Sequence, residues 1–144
     1  MELFASIKRR RQDKASLAAI EQGSAFARMG RYDEAIEAYR QAVRFAPDDV
    51  YARHRLGEIY SETGRFLEAE DIYRETIRIA PDDENSLYAL GDLLVATGRD
   101  EEAVEMLRRA IKIKPKSFKA HHRLGQVYEN AGRMDDAIGE YLTA

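Results

Sequence analysis

LGEIYSETGR at residues 56–65, LGDLLVATGR at 90–99 and LGQVYENAGR at 124–133 are three versions of one pattern, each starting 34 positions after the last. Of nine glycines in the 144-residue chain, eight fall into two columns with that spacing: Gly23, Gly57, Gly91 and Gly125, then Gly30, Gly64, Gly98 and Gly132. The three prolines, Pro47, Pro81 and Pro115, keep the same interval, and so do Ala35, Ala69, Ala103 and Ala137. Such register marks internal repeats, which must be settled before any fold is assigned.

Within a repeat the apolar residues recur at helical spacing, Leu56, Ile59 and Tyr60 in one half and Ala69, Ile72, Tyr73 and Ile77 in the other. Each repeat is therefore two helices. The break between them falls at Gly30-Arg31, Gly64-Arg65, Gly98-Arg99 and Gly132-Arg133. There glycine can take the left-handed conformation that ends a helix. Acidic pairs such as Asp33-Glu34, Glu101-Glu102 and Asp135-Asp136 follow, where they face the positive end of the second helix.

The joint between repeats reads RFAPDD at 44–49, RIAPDD at 78–83 and KIKPKS at 112–117. A cation sits in the last turn, proline stops the helix, and an aspartate can cap the next one. In the third copy Ser117 is expected to take over as the cap. Replacement of the acid pair by Lys116-Ser117 argues that these aspartates are joint components and not catalytic carboxylates. The glycine column at 23, 57, 91 and 125 costs helix stability, and close approach to the alanine column of the second helix is the expected compensation. The aromatic columns Phe26, Tyr60, Leu94, Tyr128 and Tyr39, Tyr73, Leu107, Tyr141 are then core.

A 34-residue helix-turn-helix unit with these columns resembles the tetratricopeptide repeat (TPR) family. The likeness covers repeats at 16–49, 50–83, 84–117 and 118–144, the last incomplete and without a capping helix, after a basic, helical N-terminal segment at 1–15. The tryptophan usual in the family's first helix is replaced by Ala19, Arg53, Leu87 and His121. The resemblance implies an all-α fold, an α-solenoid of about four stacked repeats forming a right-handed superhelix. It also implies a concave face lined by the first helices that holds a peptide or a segment of a partner protein.

On that reading the groove is lined by the first-helix positions the core does not use: Leu17, Ile20, Ser24 and Arg28 in the first repeat, then Tyr51, His54, Arg55 and Glu58. Asn85, Tyr88, Ala89 and Asp92 continue it, and Lys119, His122, Arg123 and Gln126 complete it. Recognition is expected to rest on Tyr51, His54, Arg55, Tyr88, Asp92, Lys119, His122 and Arg123. One TPR subgroup clamps the C-terminal carboxylate of a chaperone tail with basic residues and asparagine on successive repeats. Lys119 and Arg123 resemble two of its five positions, while His54, Glu58 and Ala89 depart from it and the acid would repel a carboxylate.

With 23 basic and 26 acidic residues, the whole chain carries no field that points to nucleic acid. The balance is uneven: residues 1–14 carry five cations and two acids, +3, which leaves −6 for the remainder of a net −3. No cysteine is present, so thiolate chemistry is excluded. His54 and His122 lie two repeats apart and His121 points away from His122, so no metal site or cofactor is expected. Phosphate-cradling loops and nucleophile motifs are absent as well, and the chain is not expected to be an enzyme. MELFASI is too short for a signal or a membrane span, and a soluble, cytoplasmic protein is expected.

Stacked repeats need covered ends. The fourth repeat has Leu142 where the others have Arg40, Arg74 and Arg108, and Gly139 where they have Glu37, Asp71 and Glu105. Ile138, Tyr141 and Leu142 are therefore expected as a self-association surface, and a self-associating scaffold, a homo-oligomer, is the alternative function. Three readings stand for Lys8, Arg9, Arg10 and Arg11: a solvated helix packing Leu3, Phe4 and Ile7 on the first repeat, a contact to acidic membrane, or a contact to nucleic acid. The first is the expectation.

Overall fold

The computed structural model describes all 144 residues as eight helices and no strand. They are α1 (Glu2–Arg28), α2 (Tyr32–Phe45), α3 (Val50–Glu62), α4 (Phe66–Ile79), α5 (Glu84–Ala96), α6 (Asp100–Ile113), α7 (Phe118–Asn130) and α8 (Met134–Thr143). The fold is the all-α, helix-turn-helix repeat architecture of α-solenoids. Two compact units divide the chain, Met1–Ile72 and Tyr73–Ala144, with the division inside α4. In the first unit α2 packs between α1 and α3, and in the second α6 packs between α5 and α7, with α8 on α7.

Every Gly-Arg step closes a helix in the same way. Gly30, Gly64, Gly98 and Gly132 have φ between 71° and 76°, the left-handed region that a side chain disfavours. The arginine N–H then reaches back five residues, Arg31 to the Phe26 carbonyl at 2.9 Å and Arg65, Arg99 and Arg133 to Tyr60, Leu94 and Tyr128 at 2.8 Å. This is a Schellman closure. The arginine itself does more than the sequence suggested. Its carbonyl accepts the first bond of the next helix, as from the Ala35 N–H at 3.0 Å. Its guanidinium lies over an aromatic ring, Arg31 on Phe26, Arg65 on Tyr60 and Arg133 on Tyr128. It also pairs with an acid in the following first turn: Glu34, Glu68, Glu102 or Asp136.

The joints between repeats use the second aspartate. Asp49 accepts from the Tyr51 and Ala52 N–H groups at 2.9 and 3.3 Å, and Asp83 from Ser86 N–H at 2.8 Å. Ser117 departs from the expected role. It stands at the N-cap of α7 without capping it, because its hydroxyl donates instead to Glu84 Oε1 at 2.6 Å. The competing carboxylate is one repeat away in sequence and invisible to a local reading.

The alanine column is fully buried, as are Tyr39, Leu94, Leu107 and Tyr128. The glycine column of the first helices is filled differently from expectation. A methyl on Gly23 would stand 2.7 Å from the Tyr39 ring, one on Gly91 2.9 Å from Leu107, and one on Gly125 2.5 Å from the Tyr141 ring. At these three glycines the large residue four positions after the alanine takes most of the room, and at Gly91 the alanine backbone approaches as well, with Ala103 O at 3.5 Å.

α1 is about twice the length of the other first helices and runs without a break into the basic segment. Only its second half bears buried residues, Ser16, Ala19, Ile20 and Gly23, and Ser16 donates to the Ala42 carbonyl at 3.1 Å. Leu3, Phe4 and Ile7 are 70, 79 and 41% exposed, so the expected packing of these three on the first repeat does not occur. The cause is phase. At about 100° per residue, they point roughly opposite to the Ser16–Gly23 stripe.

Candidate functional site

In the first unit the predicted lining residues gather around Tyr39 and Glu58. Arg55 donates to Glu58 Oε2 at 2.7 Å and to the Tyr39 hydroxyl at 3.2 Å, and its guanidinium sits 5.6 Å from the centre of that ring. Ser24 and the Tyr39 hydroxyl share a hydrogen bond of 3.1 Å. His54 Nε2 is 3.3 Å from Glu58 Oε1. The bond from His54, with the charges of His54 and Arg55 adding to it, holds the Glu58 carboxyl below the usual carboxylate range against the opposing effect of burial. Glu58 thus stays an anion, fixed by two partners.

Beside this network lies a cleft of about 680 Å³ that the sequence did not reveal. Ile20, expected as groove lining, is buried and forms part of its floor with Phe45, while Tyr51 stands exposed at its edge. Its walls are both charged: Lys8, Arg9 and Asp13 come from the extension of α1, and Asp48 and Asp49 from the α2–α3 joint. Because Ala5, Lys8, Arg9 and Gln12 continue the inner stripe of α1, the extension overlooks the first-helix surface. The absence of any helix-stopping residue between Met1 and Gln22 was the available signal.

In the second unit Arg123 Nε lies 2.6 Å from Asp92 Oδ1, and Arg123 Nη1 donates to Gln126 at 3.0 Å. Lys119 Nζ donates to Asn85 Oδ1 at 2.7 Å, lies 3.4 Å from Glu84 Oε2 and covers the Tyr88 ring at 4.6 Å. Burial, with the Asp92 charge adding to it and Arg123 opposing it, pushes the Tyr88 hydroxyl above the usual phenol value, so it remains a neutral donor. His122 is exposed and stacks on Phe118 with ring centres 5.8 Å apart, and Tyr141 tilts against it at 5.6 Å. The second unit therefore brings Tyr88, Asp92, Lys119 and Arg123 into contact, while His122 sits apart in a ring cluster with Tyr141 and with Phe118, a neighbour the sequence reading omitted.

Two of the positions where the family carries tryptophan hold donors with a shared task. Arg53 Nε donates to the Pro47 carbonyl at 2.6 Å, and His121 Nε2 lies 2.8 Å from the Pro115 carbonyl, six residues back in each case. His121 is buried, with Nδ1 2.6 Å from Glu140 Oε2, and so ties α7 to α8. Of the expected self-association residues, Ile138 and Leu142 are exposed, whereas Tyr141 turns inward over Gly125 and donates to Glu129 at 2.8 Å.

No group of histidines and acids is placed to hold a metal ion, and no helix is long and apolar enough to cross a membrane. Both surfaces consist of paired charges beside exposed rings, an arrangement that can hold a peptide by exchanging internal partners for external ones.

No curated protein matches the sequence. Among solved structures, the chain is similar to a crystal structure of MamA, with a TM-score of 0.81 at 23% identity over 89% of this chain and 75% of that one. It is also similar to the first TPR of Spaghetti (RPAP3) bound to the HSP90 peptide SRMEEVD, at 0.77 and 21% identity over 83% and 95%. TTC0263, a thermophilic TPR protein in Thermus thermophilus, gives 0.76 at 22% identity over 90% and 72%. These likenesses speak to fold. Residues 20–84 match the family profile described as Tetratricopeptide repeat and residues 91–132 the one described as TPR repeat, so the chain belongs to the tetratricopeptide repeat family.

Proposed function

We propose that the chain is a non-enzymatic interaction module that binds a peptide or a partner-protein segment along the first-helix faces of its repeats. Tyr51, His54 and Arg55 carry recognition in the first unit, and Tyr88, Asp92, Lys119, His122 and Arg123 in the second. The observation that carries this reading is the cleft beside Tyr51, with its apolar floor and its charged walls, Lys8, Arg9 and Asp13 on α1 and Asp48 and Asp49 on the joint. Such a cleft suits an apolar side chain flanked by charged ones. Membership of a family whose fold generally mediates protein contacts supports it, as does the likeness to a repeat domain bound to an HSP90 peptide. A carboxylate clamp of the chaperone-tail type is not part of this reading, because Glu58 occupies that surface with both of its oxygens engaged.

Selection of random twelve-residue peptides displayed on phage against the 144-residue chain tests it. Enriched peptides should pair an apolar residue with flanking charged residues. As synthetic peptides they should bind at least tenfold more weakly to Tyr51→Ala or to Tyr88→Ala, each checked for unchanged helicity. Peptides that bind both variants as well as the parent chain would remove these surfaces from consideration.

A further inference from the structure

Two helix faces of this chain are left uncovered, and they match each other. The first is the outer face of the α1 extension. Leu3, Phe4 and Ile7 stand exposed there, and about a turn and a half further on the same side of the helix carries Arg10, Arg11 and Lys14. The second is on α8. Ala137 points inward, while Met134, Ile138 and Leu142, spaced four apart, are 53, 52 and 83% exposed beside Asp135 in the first turn.

The α8 stripe has a covered counterpart. Ile36 holds in α2 the place that Ile138 holds in α8, and it is buried, since α2 is flanked by both α1 and α3. α8 has α7 on one side. What the stripe lacks is a helix offering apolar residues and cations.

We infer that the α1 extension of a second copy of this chain docks on α8, antiparallel to it. The charges fit: residues 1–14 carry +3, and residues 134–144 carry three acids and no cation; Asp136 is paired with Arg133 and Glu140 with His121, which leaves Asp135 on the docking side. Direction follows from order along each helix. In α1 the apolar residues come first and the cations follow, about 9 Å along the axis at 1.5 Å per residue. In α8 the acids come first and Ile138 and Leu142 follow, about 7 Å along. Only the antiparallel arrangement sets Leu3, Phe4 and Ile7 against Ile138 and Leu142 while setting Arg10 and Arg11 against Asp135. Tyr141 takes no part, being turned toward Glu129. Because the two faces differ, the contact is heterologous, and the angle between them decides whether copies close into a ring or extend.

Sedimentation velocity of the intact chain over a concentration series in 50 mM salt tests this, with Phe4→Glu and Leu142→Arg as variants of exposed residues that leave folding intact by circular dichroism. The parent chain should grow in mass with concentration, and less so in 500 mM salt. Each variant alone should stop at the monomer or at a short residual population. An equimolar mixture of the two should give a 1:1 dimer and nothing larger, because one intact head and one intact tail remain. Tyr88→Ala should assemble like the parent, which separates this inference from the groove reading. A chain that is monomeric throughout overturns the inference. So does a dimer lost in Leu142→Arg yet untouched in Phe4→Glu, which would be a symmetric α8 contact. Monomers that instead bind phosphatidylserine vesicles through Phe4 would assign the α1 face to lipid and overturn it too.

Discussion

Replacing Gly23 by alanine places a methyl group 2.7 Å from Cε1 and 2.8 Å from Cδ1 of Tyr39. The ring cannot give way cheaply: Tyr39 is 1% exposed, and its hydroxyl is held by Ser24 at 3.1 Å and by Arg55 at 3.2 Å. Forcing a methyl into a packed core costs about 1–3 kcal/mol, and displacing the hydroxyl from its partners adds about 1 kcal/mol. Against this, alanine for glycine inside a helix gains about 1 kcal/mol. The net is a loss of about 1–3 kcal/mol, which at about 3–4 °C per kcal/mol for a chain of this size lowers the melting temperature by roughly 3–12 °C. Gly139 is the internal control. It is also helical, yet nothing lies within 4 Å of a methyl placed there, so Gly139→Ala should gain about 1 kcal/mol and melt a few degrees higher. Calorimetry of the three chains reads the difference. If Gly23→Ala melts as high as Gly139→Ala, the assignment of the glycine column to ring packing is wrong.

Three further outcomes are expected. Because Glu58 titrates below its unfolded value, its contribution to stability is present above about pH 4.3 and is lost as pH falls through the folded-state value. Urea midpoints at pH 7, 5 and 3.5 should therefore fall less steeply in Glu58→Gln than in the parent, and identical slopes would refute the assigned cause. Asp49→Ala removes the acceptor for two N–H groups and should cost about 1 kcal/mol, whereas Asp48→Ala, one residue earlier and no cap, should cost only a few tenths. Gly98→Ala puts a methyl on a residue with φ of 76° and should cost about 1 kcal/mol although nothing crowds it; a melt unchanged from the parent would mean the turn tolerates other conformations.

Much of the fold was legible because glycine and proline report backbone geometry directly, and both recur every 34 residues. The turns at Gly30, Gly64, Gly98 and Gly132 and the caps at Asp49 and Asp83 are local chemistry, and they stand where the sequence put them. What was not legible depends on partners one repeat away. Ser117 looks like a cap until Glu84 is brought beside it. His121 stands in the tryptophan column of the family, but its partners, Glu140 and the Pro115 carbonyl, are not visible until the helices pack. The arginine of Gly-Arg reads as filler until its ring and its acid are seen together. At the candidate site the residue types were readable and their pairing was not. Lys119 and Arg123 are already engaged by Asn85 and Asp92, and the cleft beside Tyr51 exists only because α1 continues past its hairpin.

The joints carry a further consequence. Among the hydrogen bonds described above, the longest in sequence spans 34 positions, from Lys119 to Asn85, and most span far fewer. Contact order is correspondingly low, and low contact order favours rapid folding. A ribosome that has released two hairpins has already released every partner the first of them needs, so the chain can acquire structure while it is still being synthesised.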